Sequence, residues 1–330
     1  MKFRSFGRDQ IVVSEVGLGC WQIGSDAWGP VSDEAATGIL EKALEQGISF
    51  YDTADVYGAG RSESFVGEFL KKHQSARDSL FIASKVGRSA KIYPDGYTRT
   101  NITESIEGSL QRLGIEALDL VQTHCAPPEI LQDGEIFEWL QDLVKAGKIK
   151  RFGASVESDA EALLCMQHPD IYSIQIIFNV LRQKSLSEVF PLAQEKNVAI
   201  IVRLPLNSGL LSGKFSKDTQ FDKQDHRNFN RDGQHFNVGE TFGGLPYEKG
   251  LELVEDLRGL FPTDVPMAQS SLRWCLDQSA VSVIIPGASS EEQVVANVVA
   301  SEMDSFSEQK LKELADFYHG EVHSHIRGVY

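Results

Sequence analysis

Four residues of types that exchange protons stand in an order that suits chemistry on a carbonyl group. Asp52, Lys85 and His124 come at the ends of three short apolar runs, and Tyr57 lies five positions after Asp52. A carbonyl carbon that accepts a hydride also needs a proton on its oxygen, and a phenol with a free pKa of about 10 can supply one. A nearby ammonium group stabilises the phenolate and lowers that pKa, and a carboxylate keeps the ammonium charged and oriented. An imidazole can donate a second hydrogen bond to the same oxygen.

Each of these residues has an ordinary structural explanation when taken alone. A single histidine on a strand is usually part of the core, and a single lysine at a strand end is usually solvated. The four types together, in this order, favour a catalytic set.

The elements that would position this set alternate regularly along the chain. Eight short apolar runs, some of them uninterrupted as in Ile200-Ile201-Val202, are typical of strands buried on both faces. We predict strands at 16–19, 48–52, 80–84, 118–124, 150–155, 173–178, 198–202 and 282–285. Helices are predicted after Ser32, with Gly47 at the end, and at 63–72, 103–113, 136–146, 268–278 and 307–317. Capping boxes are predicted at Ser158 with Glu161, Ser185 with Glu188 and Ser290 with Gln293.

Eight strand–helix units without a linker predict one domain, residues 1–330, folded as a single (β/α)8 TIM barrel. An open doubly wound sheet is the alternative. Residues 3–6 and 11–14, joined by 7–10, predict a hairpin before the barrel. Residues 214–246 follow the seventh strand and are too long for an ordinary connection. We interpret this loop as a mobile lid over the active-site face, and a plain surface insertion is the other interpretation.

Composition limits the class of protein. The chain has 330 residues and a formal charge of −15, which argues against a nucleic-acid or anionic-membrane partner. We see neither a signal peptide nor an apolar run long enough to span a bilayer. The four cysteines have no paired spacing, so we expect reduced thiols and a cytoplasmic protein. The sequence does not indicate an oligomeric state.

Three segments carry a resemblance to a known family. Residues 50–58, around Asp52 and Tyr57, resemble the N-terminal signature of the aldo-keto reductases. Residues 82–86 resemble the lysine strand of that family, and residues 118–124 resemble its histidine strand. The resemblance implies that Tyr57 is the general acid, that Lys85 and Asp52 tune it, and that His124 orients the carbonyl.

The cofactor site predicted from the sequence is not a Rossmann or P-loop site. No GxGxxG follows a strand, and the stretch from Gly209 to Lys214 is one residue short of a P-loop. A barrel binds phosphates with the loops after its seventh and eighth strands, here 206–209 and 286–290. No metal ion is expected.

The resemblance implies a specific set of cofactor contacts. Ser155 and Gln175 would hold the nicotinamide carboxamide, and Arg203 would lie against its ring, where many relatives have an aromatic residue. The backbone near Gly19 and Trp21 would also contact the nicotinamide end, beside Asp52. The other implied contacts are Leu206, Ser208, Gly209 and Lys214 for the pyrophosphate, and Gly287, Ser289, Gln293 and Asn297 for the adenosine end.

Two positions depart from the family pattern. Val156 stands where Asn often follows the serine of strand five, and it lacks the side-chain amide that would contact the carboxamide. Ser289 stands where many relatives have Arg or Lys to hold the 2′-phosphate of NADP. NADP(H) is favoured on the habit of the family, and NAD(H) stays open.

The predicted substrate site is aromatic and of carbonyl size. Trp21, Trp28, Tyr57 and His124 would form its near wall, and Tyr93 or Tyr97 could complete it, although packing or surface exposure is the better explanation for those two tyrosines. No basic cluster marks a site for a strongly anionic substrate.

Three functions fit the sequence. The first is NADP(H)-dependent reduction of small aldehydes or ketones, dicarbonyls included. The second is an NAD-dependent sugar or polyol dehydrogenase on the same barrel. The third is a cofactor-sensing regulatory subunit with little turnover, as the channel-associated members of the family are.

Overall fold

Parallel strands form the central sheet in the computed structural model, which describes residues 1–9 and 11–330. Gln10, in the predicted hairpin turn, lies outside the described residues. The hairpin strands are β1 (Phe3–Phe6) and β2 (Ile11–Ser14). The eight strands of the central sheet are β3 (Leu18–Gly19), β4 (Phe50–Asp52), β5 (Phe81–Val86), β6 (Leu120–His124), β7 (Phe152–Ser155), β8 (Ser173–Ile177), β9 (Ala199–Arg203) and β10 (Val281–Ile284). Each predicted strand is confirmed, with ends that differ by one or two residues.

The sheet closes on itself. Neighbouring strands pair in chain order from β3 to β10, and Val16 and Gly19 then pair in parallel with Ile284 and Gly287. The Gly17 amide donates to the Ile284 carbonyl at 2.8 Å, and the Ile284 amide donates to the Glu15 carbonyl at 3.0 Å. The predicted (β/α)8 barrel is confirmed, and the open sheet is wrong.

Helices surround the barrel. They are α1 (Trp21–Gly24), α2 (Asp33–Glu45), α3 (Arg61–Lys72), α4 (Arg99–Leu113), α5 (Pro128–Asp133), α6 (Glu135–Lys145), α7 (Asp159–Cys165), α8 (Val189–Lys196), α9 (His226–Phe229), α10 (Tyr247–Arg258), α11 (Met267–Leu276), α12 (Glu291–Glu302) and α13 (Glu308–Phe317). Apolar residues on their inner faces pack against the outer faces of the strands in one continuous core. Among the described residues, no helix is long and apolar enough to cross a membrane.

Of the three predicted capping boxes, one is confirmed. Ser158 and Glu161 form a reciprocal capping box at the start of α7. Ser185 does not cap a helix, because its hydroxyl donates to the buried Asp159 carboxylate at 2.6 Å. Ser290 accepts from the Gln293 amide, but the Gln293 side chain accepts from Ser289 instead of returning to Ser290.

The hairpin plugs the amino-terminal end of the barrel. Phe6 is fully buried, and its ring lies 5.3 Å from that of Phe50 and 5.0 Å from that of Phe81. The Tyr172 hydroxyl donates to the Phe6 carbonyl at 2.8 Å. With this end filled, the carboxyl-terminal end of the barrel is where a ligand can enter, as in other TIM barrels.

Residues 214–246, which we call the lid segment, lie over that open end. Phe242 is fully buried, and the amide and ring Nδ1 of His226 both lie within hydrogen-bond distance of the Ala27 carbonyl. The segment therefore contacts the loop after β3 as well as the strand ends. That it opens and closes stays a prediction.

Candidate active site

Lys85 lies at the centre of the predicted catalytic set. Its ammonium donates to the Asp52 carboxylate, to the Thr53 carbonyl at 3.0 Å and to the Tyr57 hydroxyl oxygen at 3.1 Å. Asp52 ends β4 and Lys85 lies near the end of β5, and because these parallel strands are neighbours, both side chains reach the same end of the barrel. The three ammonium protons are satisfied, and the Tyr57 hydroxyl, which accepts here, keeps its own proton available.

The second oxygen of Asp52 is held from the opposite side. Gln122 on β6 and Gln175 on β8 donate their side-chain amides to it at 3.1 Å and 2.8 Å. Gln175 was predicted to hold the carboxamide, and here its amide nitrogen is occupied by Asp52. Gln122 was not predicted, although it lies two residues before His124 and so faces the same side of its strand. Together the two amides fix the carboxylate that orients Lys85.

The charge states of Lys85 and Tyr57 follow from burial and from each other. Burial opposes the charge on Lys85, but Asp52 and Tyr57 outweigh it and raise the pKa of Lys85 above its usual value. Burial raises the pKa of Tyr57, and the opposing effect of Lys85 is smaller. We expected Lys85 to bring the pKa of Tyr57 down towards working pH, and the direction is the reverse. Tyr57 is therefore held as a protonated phenol, ready to donate.

His124 ends β6 as a neutral imidazole. Burial first, and then the positive charges of Lys85, Arg88 and Arg203, hold the pKa of His124 well below its usual range. Its ring lies edge-on to that of Tyr57 with centroids 5.8 Å apart. Nδ1 of His124 has no hydrogen-bond partner among the described residues. The imidazole can thus face a bound carbonyl without adding a charge.

The pH dependence of the reaction follows from the pKa shifts of Tyr57 and His124. As pH falls through the ordinary histidine range near 6.5, His124 stays neutral, so we expect kcat/KM for reduction to show no step there. As pH rises, activity is lost only when Tyr57 deprotonates, above its usual pKa. A pH profile of kcat/KM from pH 5.5 to 9 should therefore be flat. A step near 6.5 that disappears in His124→Asn would contradict the neutral assignment.

A cavity of about 950 Å³ opens above the catalytic set. Its volume is at the upper end of what small-ligand sites in proteins offer. Every residue predicted to hold the cofactor lines it, as do Trp28, Tyr57 and His124. Lys85 lies beneath the cavity surface, where it contacts Asp52 and Tyr57, which do line the cavity. The structure thus brings the predicted site together, and the individual cofactor and substrate contacts stay predictions.

The substrate end of the cavity is aromatic. The rings of Trp21 and Tyr57 stack with centroids 5.6 Å apart, and Trp28 lies edge-on to Trp21 at 5.4 Å. Tyr93 lines the cavity. Tyr97 packs elsewhere, because its hydroxyl donates to the Gly87 carbonyl at 2.8 Å and the side chain is buried.

The sequence matches the family model described as "Aldo/keto reductase family" over residues 15–319, nearly the whole chain. The chain belongs to the aldo-keto reductase family. Aldo-keto reductase YhdN of Bacillus subtilis is 29% identical over 301 residues, which cover 90% of this chain and 87% of the relative. Uncharacterized oxidoreductase Rv2298 of Mycobacterium tuberculosis is 32% identical over 312 residues, covering 92% and 89%.

Solved structures show the same likeness. Aldo-keto reductase AKR11C1 from Bacillus halodurans in its holo form superposes with a TM-score of 0.78 at 28% identity, over 100% of this chain and 98% of that one. Glycerol dehydrogenase AKR11B4 from Gluconobacter oxydans gives 0.78 at 28%, over 99% and 98%. An aldo-keto reductase from Klebsiella pneumoniae gives 0.69 at 22% identity, over 96% of each chain. This aldo-keto reductase is a nicotinamide-dependent oxidoreductase.

The loop after β9 has a backbone conformation of its own in this reductase. Asn207, Ser208 and Gly209 have φ of 51°, 57° and 86°, so the chain turns through three consecutive left-handed residues. The Ser208 hydroxyl donates to the Glu240 carbonyl and accepts from the Phe242 amide, each at 3.1 Å. The Ser208 side chain thus secures the lid segment, and its predicted contact with the pyrophosphate stays a prediction.

The adenosine end is organised by bonds among the predicted residues. The Gln293 side-chain oxygen accepts from the Ser289 amide at 2.9 Å, and the Asn297 amide donates to the Gly287 carbonyl at 3.3 Å. A Cβ at Gly287 would lie 2.0 Å from the end of the Gln22 side chain, so a larger residue here would displace that amide. These contacts fix the loop between β10 and α12, where a helix N-terminus favours a bound phosphate.

Arg203 links the end of β9 to the lid segment. Its guanidinium donates to the Glu240 carboxylate at 2.6 Å and to the Val156 carbonyl at 2.9 Å. Val156, which lacks the side-chain amide common in relatives, thus contributes its backbone. Arg203 lines the cavity, and its contact with the nicotinamide ring stays a prediction. The ion pair with Glu240 was not visible in the sequence.

An acidic cluster beside Arg203 has the ligand types of a metal site but not its electrostatics. Cys125, Glu157 and Glu240 bring ligand atoms within 4.8 Å of one another. Arg203 pairs with Glu240, and Arg88 lies 3.6 Å from Glu157. Burial raises the pKa of Cys125 to about 12, so the thiol stays protonated. The cluster is balanced by arginines and carries no surplus negative charge for a cation.

Proposed function

We propose that this reductase converts small aldehydes and ketones to alcohols by hydride transfer from NADP(H), with Tyr57 as the general acid. The observation that carries the proposal is the buried Lys85, which bridges Asp52 and Tyr57 directly under the wall of the cavity. A buried ammonium in contact with a phenol has a clear chemical use. It stabilises the phenolate that forms when Tyr57 gives up its proton.

The four residues of the catalytic set have separate roles in the reaction. The dihydronicotinamide supplies a hydride to the carbonyl carbon when the cofactor is bound. Tyr57 gives its proton to the carbonyl oxygen as the C–H bond forms, and solvent later returns a proton to the phenolate. Lys85 stabilises that phenolate, and Asp52 keeps Lys85 charged and oriented. The neutral His124 donates a hydrogen bond to the carbonyl oxygen and fixes its direction.

The cavity suits a dinucleotide in size and in the placement of its polar groups. Lys214, Leu206, Ser208 and Gly209 line it, as do Ser289 and Gln293 near the start of α12. NADP(H) is proposed on the family resemblance, and the Klebsiella pneumoniae fold neighbour was solved in complex with NADPH.

A second function differs in direction and cofactor. Ser289 is uncharged, and Glu291 and Glu292 stand in the first turn of α12, which gives a 2′-phosphate little attraction there. One fold neighbour is named a glycerol dehydrogenase. An NAD-dependent polyol dehydrogenase is therefore the alternative, with the same four residues working in reverse.

Ser289→Arg tests the cofactor pocket. The change adds a guanidinium at an exposed position beside the predicted 2′-phosphate, and such charge-assisted bonds contribute about 1.5–3 kcal/mol. We expect the affinity for NADPH relative to NADH to rise roughly 10-fold, a shift of about 1.4 kcal/mol. Fluorescence titrations with both nucleotides measure the ratio. Ser305→Arg, which adds the same charge at an exposed position outside this cavity, should leave the ratio unchanged. An unchanged ratio in Ser289→Arg would mean that the pocket is misplaced.

The proposed function itself is tested by turnover. Purified protein is mixed with NADPH or NADH and a panel of aldehydes, and absorbance at the nicotinamide band is followed. Aldehyde-dependent oxidation of NADPH supports the reductase. Oxidation of glycerol or a sugar with NAD as the better cofactor would favour the dehydrogenase. Tight nucleotide binding without turnover in either direction would instead favour a regulatory subunit.

A further inference from the structure

Arg88 is a cavity residue that no pattern in the sequence singled out. It follows the end of β5 by two residues, and its side chain is 20% exposed. It lines the same cavity as Tyr57, His124 and Trp28. Its position therefore places a positive charge on the wall of the substrate end.

The other positively charged side chains around the cavity are bonded to carboxylates or have a separate role. Lys85 bonds to Asp52, and Arg203 bonds to Glu240. Arg227 bonds to both oxygens of Asp225, at 2.9 Å and 2.6 Å. Lys214 is exposed and belongs to the segment proposed for the pyrophosphate. Each of these groups has a partner or a separate role.

Arg88 pairs more loosely than these groups, with Glu157 alone. Its nearest carboxylate oxygen is that of Glu157 at 3.6 Å, which is too far for a hydrogen bond. Within the residues that the structure describes, its guanidinium makes no side-chain hydrogen bond. A guanidinium has five N–H donors in a planar fork. This one lines the cavity, and its donors have no hydrogen-bond partner among the described residues.

Two aromatic rings hold the guanidinium in position. Its central carbon lies 5.5 Å from the ring centre of Tyr93 and 5.9 Å from that of Phe236, which belongs to the lid segment. Such cation–π contacts orient an arginine without using its hydrogen-bond donors. Arg88 is also close enough to His124 to contribute to its lowered pKa. The free donors thus lie beside the imidazole that orients the carbonyl.

We propose that this reductase acts on small carbonyl compounds that carry a carboxylate, and that Arg88 binds that carboxylate. The proposal rests on the proposed function, since it names the substrate class of the same site. One guanidinium matches the two oxygens of one carboxylate. Glu157 already offsets part of the positive charge of Arg88. A phosphate dianion would therefore need further positive charge and further donors beside Arg88. Trp21, Trp28 and Tyr93 line the same cavity as Arg88 and Tyr57, and these aromatic walls suit a short apolar linker.

The test compares two aldehydes of equal carbon number, succinic semialdehyde and butanal, with NADPH as cofactor. We expect the wild-type protein to have the higher kcat/KM for succinic semialdehyde. In Arg88→Met, that value should fall roughly 10- to 100-fold, mainly through KM, because a charge-assisted pair is lost. The value for butanal should change by less than about 3-fold, since neutral contacts remain. Arg88→Lys, which keeps the charge but not the planar fork, should lie between the two.

Controls separate the possible failures. Arg61→Met removes a partly exposed arginine that pairs with Asp33 outside the cavity, and it should change kcat/KM for neither aldehyde. An equal loss on both aldehydes in Arg88→Met would overturn the proposal, because Arg88 would then be structural. A loss of kcat/KM in Arg88→Met on glycolaldehyde phosphate, but not on glycolaldehyde or succinic semialdehyde, would also overturn it. So would no loss on any of these substrates. In each of these cases retained reduction of butanal by the wild-type protein leaves the proposed function intact, whereas no reduction of any carbonyl would overturn both.

Discussion

Replacing Tyr57 with phenylalanine is expected to lower kcat for aldehyde reduction by about 10²- to 10⁴-fold, the usual contribution of a positioned general acid. The change removes one oxygen and leaves the ring, which stacks on Trp21 at 5.6 Å. The cofactor contacts predicted at 206–209 and 286–290 are untouched, so nucleotide affinity should stay nearly the same. Steady-state kinetics and fluorescence titration on the same preparation measure the two quantities.

A matched control is available at Tyr97. Tyr97→Phe also deletes a buried hydroxyl, which here donates to the Gly87 carbonyl outside the cavity. It should lower stability by about 1 kcal/mol and leave kcat largely intact. If Tyr57→Phe retained full activity, or lost no more than Tyr97→Phe, Tyr57 could not be the proton donor.

Removing Lys85 should affect activity and stability together. Lys85→Met leaves the Asp52 carboxylate buried without its ion partner, and breaking a buried pair in this way costs about 3–5 kcal/mol. Activity should fall by at least about 10²-fold, because nothing then stabilises the Tyr57 phenolate. Chemical denaturation and kcat measurements give both values.

A double variant separates the two effects. Asp52→Asn in the Lys85→Met background removes the uncompensated charge, so much of the lost free energy of unfolding should return. Activity should not return, since the ammonium is still missing. Recovery of activity together with stability would mean that Lys85 only supports the fold and does not act on Tyr57.

The catalytic set could be predicted from the sequence because its geometry is local. Asp52, Lys85 and His124 end neighbouring parallel strands, and apolar runs mark those strands clearly. Once the barrel is assumed, strand ends meet at one edge without any knowledge of the loops. Tyr57 follows Asp52 so closely that its position depends on a single turn.

The other features of the site could not be predicted, because they depend on contacts that no local sequence pattern encodes. Arg88 and Glu240 lie in connecting segments, and Glu240 is positioned at the cavity by bonds of the lid segment to Ser208 and Arg203. The direction of the Tyr57 pKa shift was wrong for the same reason, since the sequence names the neighbouring charge but not the degree of burial. The failed capping box at Ser185 is similar, because Asp159 offers a better partner from another helix.

The most direct test of the central claim is a single turnover with NADPH already bound. The protein is saturated with NADPH, excess aldehyde is added, and the nicotinamide absorbance is followed in the wild type and in Tyr57→Phe. We predict that the wild type oxidises its bound cofactor completely, and that Tyr57→Phe binds NADPH equally well but oxidises it at least about 10²-fold more slowly. Equal rates in the two proteins, or no binding of NADPH or NADH by either, would contradict the account.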